Sequence, residues 1–316
     1  MVKSLRVSAV AVLVAVVATA CAVVPGYQSS STAFEGFPVI SYVPQHPTGI
    51  VFPFHGTTGS ANIATKLEMT DMLNHLVARG CGFVSTDSTN RTAKQWDNDT
   101  LSLVTNPDLA RLSRLYASLV TAGRITRQTP IYAIGMSDGA GFASVFAQAF
   151  KNAGYPVAAI APSHGQIPAA VRNAGGLKVP ALFALGANDP LVDDAHVEIQ
   201  VALLARSGVP TAIYVEPETA LHATRFVRVP GIDMPTANAI FAAAVAAGLY
   251  DTAGHRLVTI AAVDAGFPRL TLPASVTADQ KKSLLEEVDV VLAVHVYSAT
   301  YAVQTADFFD AHTIAT

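Results

Sequence analysis

Seven short apolar runs, separated by stretches of helical periodicity, constrain this chain more than any other feature. The runs cover residues 39–43, 50–54, 82–85, 131–134, 157–161, 181–185 and 212–215. Between them, residues 63–79, 107–122, 141–152 and 193–207 read as helices. A strand that is apolar throughout must be covered on both faces, and strands alternating with helices pair in parallel. The pattern predicts an α/β fold, with a mostly parallel central sheet and helices on both faces. Of the 316 residues, 51% are hydrophobic and 14% charged, enough apolar material for a large core and too little charge for long disorder.

The last third reads differently. Residues 235–247 and 278–311 have helical patterns with no strong strand beside them. Leu284, Leu285, Val288, Val291, Leu292 and Val296 fall on one helical face, and His295 shares it. The expected division is a core over 37–225 and a helical layer or lid over 226–316, preceded by a Ser-rich linker over 21–36.

The first twenty residues read as a signal peptide. Lys3 and Arg6 precede an apolar run too short for a comfortable membrane span, and Ala18-Thr19-Ala20 ends it. Its removal takes the formal charge from −3 to −5. Small residues before Cys21 also resemble a lipobox, so the protein is expected to be exported, as a Cys21-lipidated envelope protein or a free secreted or periplasmic one. Lipidation would leave Cys81 unpaired; otherwise Cys21 and Cys81 can form a disulfide. With no basic block or stripe, nucleic acid is not an expected partner.

The chemistry centres on 130-PIYAIGMSDGAGFAS-144. Gly135-Met136-Ser137-Asp138-Gly139 fits G-x-S-x-G between a strand and a helix, the context of a nucleophile elbow. Small residues give the turn clearance, and the helix N-terminus favours negative charge at the serine. A serine needs a base, and the base an orienting acid. With the order Ser, acid, His at successive strand ends, Asp189 follows the 181–185 strand, 52 residues beyond Ser137. His222 follows the 212–215 strand, 33 residues further on. Asp193 and Asp194 read instead as helix caps, His164 precedes the acid, His255 lies in a turn, and His295 and His312 lie on or beside the late helix.

An oxyanion site needs a second backbone N–H besides that of Asp138. The 50–54 strand runs into His55-Gly56-Thr57-Thr58-Gly59-Ser60, which points to the Thr57 N–H, with Thr58 as the alternative. His55, Thr58, Met136 and Trp96 are candidate substrate contacts. Trp96, the only tryptophan, sits in a polar insert over 87–100, either as an aromatic platform or packed beneath the loop.

Together, HGTTGS, GMSDG, GANDPLV and the later His222 resemble the α/β-hydrolase superfamily, in the manner of secreted bacterial esterases and the polyhydroxybutyrate-depolymerase or dienelactone-hydrolase branches. The resemblance covers about residues 37–225. It implies a Ser137 nucleophile, Asp189 acid and His222 base, and hydrolysis of a small-molecule or polymeric carboxylic ester through an acyl-enzyme, with no metal or organic cofactor. Asp138 after the nucleophile and the long tail depart from the pattern. The rival expectations are an envelope peptidase or acyltransferase using the same residues, or a hydrolase-like lipoprotein that only binds.

Overall fold

The computed structural model describes residues 25–314. The signal segment over 1–20 and Cys21 lie outside them. Eight strands form one sheet: β1 (Ser30–Phe34), β2 (Phe37–Tyr42), β3 (Gly49–Phe54), β4 (Cys81–Thr86), β5 (Ile131–Met136), β6 (Val157–Ser163), β7 (Ala181–Gly186) and β8 (Thr211–Glu216). Their order is β1-β2-β4-β3-β5-β6-β7-β8, parallel from β4 to β8 and antiparallel at β1 and β2. The seven apolar runs are β2 to β8. β1 lies where a linker was expected. It is a polar, exposed edge strand joined to β2 through Glu35 and Gly36, both at positive φ, so it carries no apolar signal.

Among the described residues ten α-helices accompany the sheet: α1 (Leu67–Ala78), α2 (Pro107–Thr121), α3 (Asp138–Asn152), α4 (Ala169–Asn173), α5 (Asp194–Arg206), α6 (Ala223–Phe226), α7 (Met234–Ala246), α8 (Ile260–Gly266), α9 (Ala278–Val291) and α10 (Ala302–Ala311). Several starts are set by side chains. Asn106 caps α2 ahead of Pro107, Asp193 caps α5, and Thr277 with Gln280 forms a capping box on α9. The apolar faces of α2, α3 and α5 pack on one side of the sheet. On the other side lie α1 and α10, with Tyr132 of β5 stacked on Phe309. Helices α6 to α9 bury a core of their own, in which Phe226, Ile240, Phe267 and Leu284 meet.

The single late helix expected over 278–311 is two helices. α9 ends in a Schellman motif: the Ala293 N–H donates to Val290 O and the Val294 N–H to Asp289 O. Ala293 takes the left-handed position, φ 53°, that usually falls to glycine. Residues 294–301 then cross the carboxyl end of the sheet before α10 begins.

A buried ionic cluster holds the two ends of that crossing. Arg225 Nη2 and Arg228 Nη1 each lie 2.8 Å from Glu68 Oε1, and Arg228 Nη2 lies 2.9 Å from Asp71. Arg225 Nε approaches Glu287 Oε2 at 2.5 Å, as an ion pair without hydrogen-bond alignment. Glu68 Oε2 accepts the Ala299 N–H at 2.6 Å. Burial, and then the charge of Glu68, pushes the Glu287 carboxyl up.

Asp289 on α9 is pushed up to about 7, first by burial and then by the charges of Asp264 and Glu286. A carboxyl raised in the folded state contributes stability that is complete below its unfolded value, about 3.9, and is lost as pH rises through 7. Asp289→Asn is therefore expected to match the wild-type melting temperature near pH 4 and to exceed it by roughly 3–6 °C at pH 8. Thermal melts of both proteins across that range check this; a constant difference would assign the effect to something other than this carboxyl.

Candidate active site

β5 ends at Met136, and Ser137 turns the chain into α3 with φ 57° and ψ −120°, a strained conformation for a non-glycine residue. The turn closes only because its neighbours lack side chains. A Cβ on Gly135 would stand 2.1 Å from Gly139 O, and one on Gly139 would stand 2.4 Å from both Phe54 O and His55 O. The serine is thereby fixed above the carboxyl ends of the central strands, where open α/β sheets hold ligands.

Asp189 reaches the same edge from the loop after β7, as expected. His222 does not. It is an exposed residue at the start of α6, with no hydrogen bond to Ser137 or Asp189. The imidazole beside the serine is His295, from the crossing between α9 and α10. Its Nε2 lies 2.8 Å from Ser137 Oγ and its Nδ1 lies 2.8 Å from Asp189 Oδ2. A carboxylate can only accept, so Nδ1 carries the proton and Nε2 is left to accept from the serine hydroxyl. The loop with the acid also grips the segment with the base: the Asn188 N–H donates to Ala293 O, and Asn188 Nδ2 donates to Leu292 O.

The Asp189 carboxyl is fully buried, with a side-chain exposure of 0%. Burial pushes it up, but hydrogen bonds from His164, His295 and the Leu191 N–H outweigh this and hold it well below the usual carboxylate range. It therefore stays ionised beside His295. His164, Asp189 and His295 are also, among the described residues, a group whose donor atoms lie close enough to share a metal ion. Here those atoms pair with one another, Nδ1–H to carboxylate.

Asp138 has a structural task. Its carboxylate accepts the Trp96 N–H at 2.7 Å and Asn98 Nδ2 at 2.8 Å, so it ties the 87–100 insert to the head of α3. Burial pushes its carboxyl up, against those two bonds. Trp96 is not a platform facing substrate: it is buried, stacked on Phe142, and donates Nε1–H to His55 O. His55 is also spent internally. Its Nδ1–H donates to Gly56 O at 2.8 Å and its Nε2 accepts the Ser88 N–H at 3.2 Å. Burial lowers its affinity for a second proton. Cys81, buried in β4, has its thiol pushed up to about 11 by burial.

Two cavities meet at His295. One, of about 520 Å³, is lined by Thr57, Thr58, Ile63, Leu67, Met136 and Val296 among others. The other, of about 410 Å³, is walled by Asn98, Ser137, Gln166 and Asp193. A further cavity of about 330 Å³, at Tyr116, Arg127 and Tyr155, lies at the opposite end of the strands. Among the described residues no helix is long and apolar enough to cross a membrane.

No protein-family model and no curated protein sequence matches this chain. Solved structures similar to it include an arylesterase, at 16% identity over 66% of this chain and 83% of that one, with a TM-score of 0.46. A carboxylesterase from Bacillus cereus shares 17% identity over 58% and 86%, with a TM-score of 0.44. A phospholipase/carboxylesterase from Dyadobacter fermentans DSM 18053 shares 19% over 60% and 89%, with a TM-score of 0.41. Strand order and the elbow after β5 themselves give the chain an α/β-hydrolase fold.

Proposed function

We propose that this protein is an exported serine hydrolase that cleaves carboxylic esters through an acyl-enzyme. The observation that carries the reading is the continuous chain of hydrogen bonds from Ser137 Oγ through His295 to Asp189. Ser137 Oγ attacks the ester carbonyl and passes its proton to His295 Nε2. The buried, ionised Asp189 stabilises the imidazolium and keeps its Nδ1–H directed. The tetrahedral oxyanion takes hydrogen bonds from the backbone N–H of Asp138, unpartnered because it opens α3, and of Thr57. His295 then protonates the leaving alcohol, and water repeats the sequence on the acyl-enzyme. The larger cavity, with Ile63, Leu67, Met136 and Val296 in its wall, takes the apolar part of the ester. The polar cavity, with Asn98, Gln166 and Asp193, takes the hydrophilic part.

Labelling with a fluorophosphonate, followed by peptide mapping, tests this. The label is expected on Ser137 in the wild type and absent from His295→Ala. Folded wild-type protein that takes no label, or takes it elsewhere, would remove the nucleophile from the scheme.

A further inference from the structure

We infer that His164 is a positioning residue for this site: a second imidazole on the acid, which locks Asp189 in the orientation that His295 requires. The inference rests on the reading of Ser137, His295 and Asp189 given above. His164 Nδ1 and His295 Nδ1 both lie 2.8 Å from the same oxygen, Asp189 Oδ2. Their rings stand 5.6 Å apart at 79°, edge to face, so both reach that oxygen without stacking on each other. The other oxygen, Oδ1, accepts the N–H groups of Leu191 at 2.8 Å and Val192 at 3.2 Å. Four donors on one carboxylate leave it no second rotamer of comparable energy, and they offset the cost of burying its charge.

The fold takes on strain to place this side chain. His164 follows β6 directly and holds φ 52°, a region a non-glycine residue enters at a cost. Its backbone N–H is tied to Ala184 O at 2.8 Å, across to the strand that leads to Asp189. The absence of a side chain at Gly186 makes room for its ring, because a Cβ there would stand 2.9 Å from His164 Cε1. The same Cβ would stand 2.3 Å from Ala293 O, so one glycine admits both the second imidazole and the segment that brings His295. His164 is only 3% exposed and has no hydrogen bond to Ser137, so it acts through the acid rather than on the ester. Donating to Oδ2, it carries its proton on Nδ1. Removing that donor frees Asp189 to turn about its last bond, and the imidazole of His295 turns with it. The His164 ring borders the polar cavity but offers it only 3% of its side-chain surface, so the loss falls mainly on the rate of the bound complex.

The test compares His164→Ala and His164→Asn with wild type, using p-nitrophenyl ester turnover and the low-field proton NMR signal of the His295 Nδ1–H. Asn keeps a side-chain N–H close to the position of the imidazole Nδ1–H. His164→Ala is expected to lower kcat by about 10- to 100-fold with KM within about 2-fold, and His164→Asn to recover most of that loss. The wild type is expected to show two low-field imidazole signals; in His164→Ala one disappears and the other moves. If the alanine variant does not fold, His164→Leu, which keeps bulk without a donor, replaces it. Wild-type kcat with an unmoved His295 signal in the donor-free variant would overturn the inference, as would equal losses in that variant and His164→Asn. Ser137→Ala in the same assay separates the two layers. If it turns over ester like the wild type, the underlying catalytic reading fails. If it is inactive while the donor-free variant runs at full rate, only the role of His164 fails.

Discussion

Replacing His295 with alanine is expected to lower kcat by roughly 10⁶-fold, as deeply as Ser137→Ala, while His222→Ala leaves turnover at the wild-type level. Serine and its base act as a unit: without an acceptor at 2.8 Å the Ser137 hydroxyl keeps its proton and attacks no faster than a free alcohol. His222 faces solvent at the start of α6, so its removal touches neither the proton path nor the core. Steady-state kinetics on an activated ester, with folding checked by circular dichroism, decide the matter. Full activity in His295→Ala, or its loss in His222→Ala, would mean that the hydrogen bonds described here are not the catalytic ones. The double variant Ser137→Ala/His295→Ala is expected to be no slower than either single change, because neither residue works without the other.

The second large effect is on stability. Glu68→Ala takes from the partly buried Arg225 and Arg228 one of the two carboxylates they share, leaving them Glu287, and leaves the Ala299 N–H without an acceptor. Breaking a buried ion pair from one side costs about 3–5 kcal/mol, which corresponds to a fall in melting temperature on the order of 10 °C. The exposed pair Lys66–Glu286 is the internal control, with side-chain exposures of 56% and 33%. Lys66→Ala is expected to cost about 1 kcal/mol or less. Glu68→Ala should also slow turnover at temperatures where the protein remains folded, because Ala299 and Glu287 bracket the segment that carries His295. Thermal melts and kinetics on both variants provide the check, and a Glu68→Ala melt no lower than that of Lys66→Ala would show that the cluster contributes little.

The sequence carried the sheet well, because continuous apolar runs have few places to go but the middle of a parallel sheet. It carried Ser137 and Asp189 for the same reason: each sits at the end of such a run, where a strand edge fixes its position. His295 was hidden because the break between α9 and α10 has no glycine or proline to announce it. Ala293 occupies the left-handed position, and the apolar stripe through Leu292 and Val296 reads straight across the interruption. One signal was present. A helix over residues 278–311 would be far longer than globular helices usually run, which argued for a stop within it. β1 was illegible for the opposite reason, since an exposed polar edge strand leaves no pattern. The assignment of Trp96 and His55 turned on contacts between distant segments, and a linear reading of their neighbours holds no such information.

The crossing that delivers His295 also orders events in time. Ser137 and Asp189 are made early, but the proposed base, His295, lies 158 residues beyond the serine. A chain that stops after β8 but before His295 can complete the sheet and still lack the proposed group to take the serine proton. On the proposed reading, activity should appear only once His295 has been made and the crossing between α9 and α10 is seated.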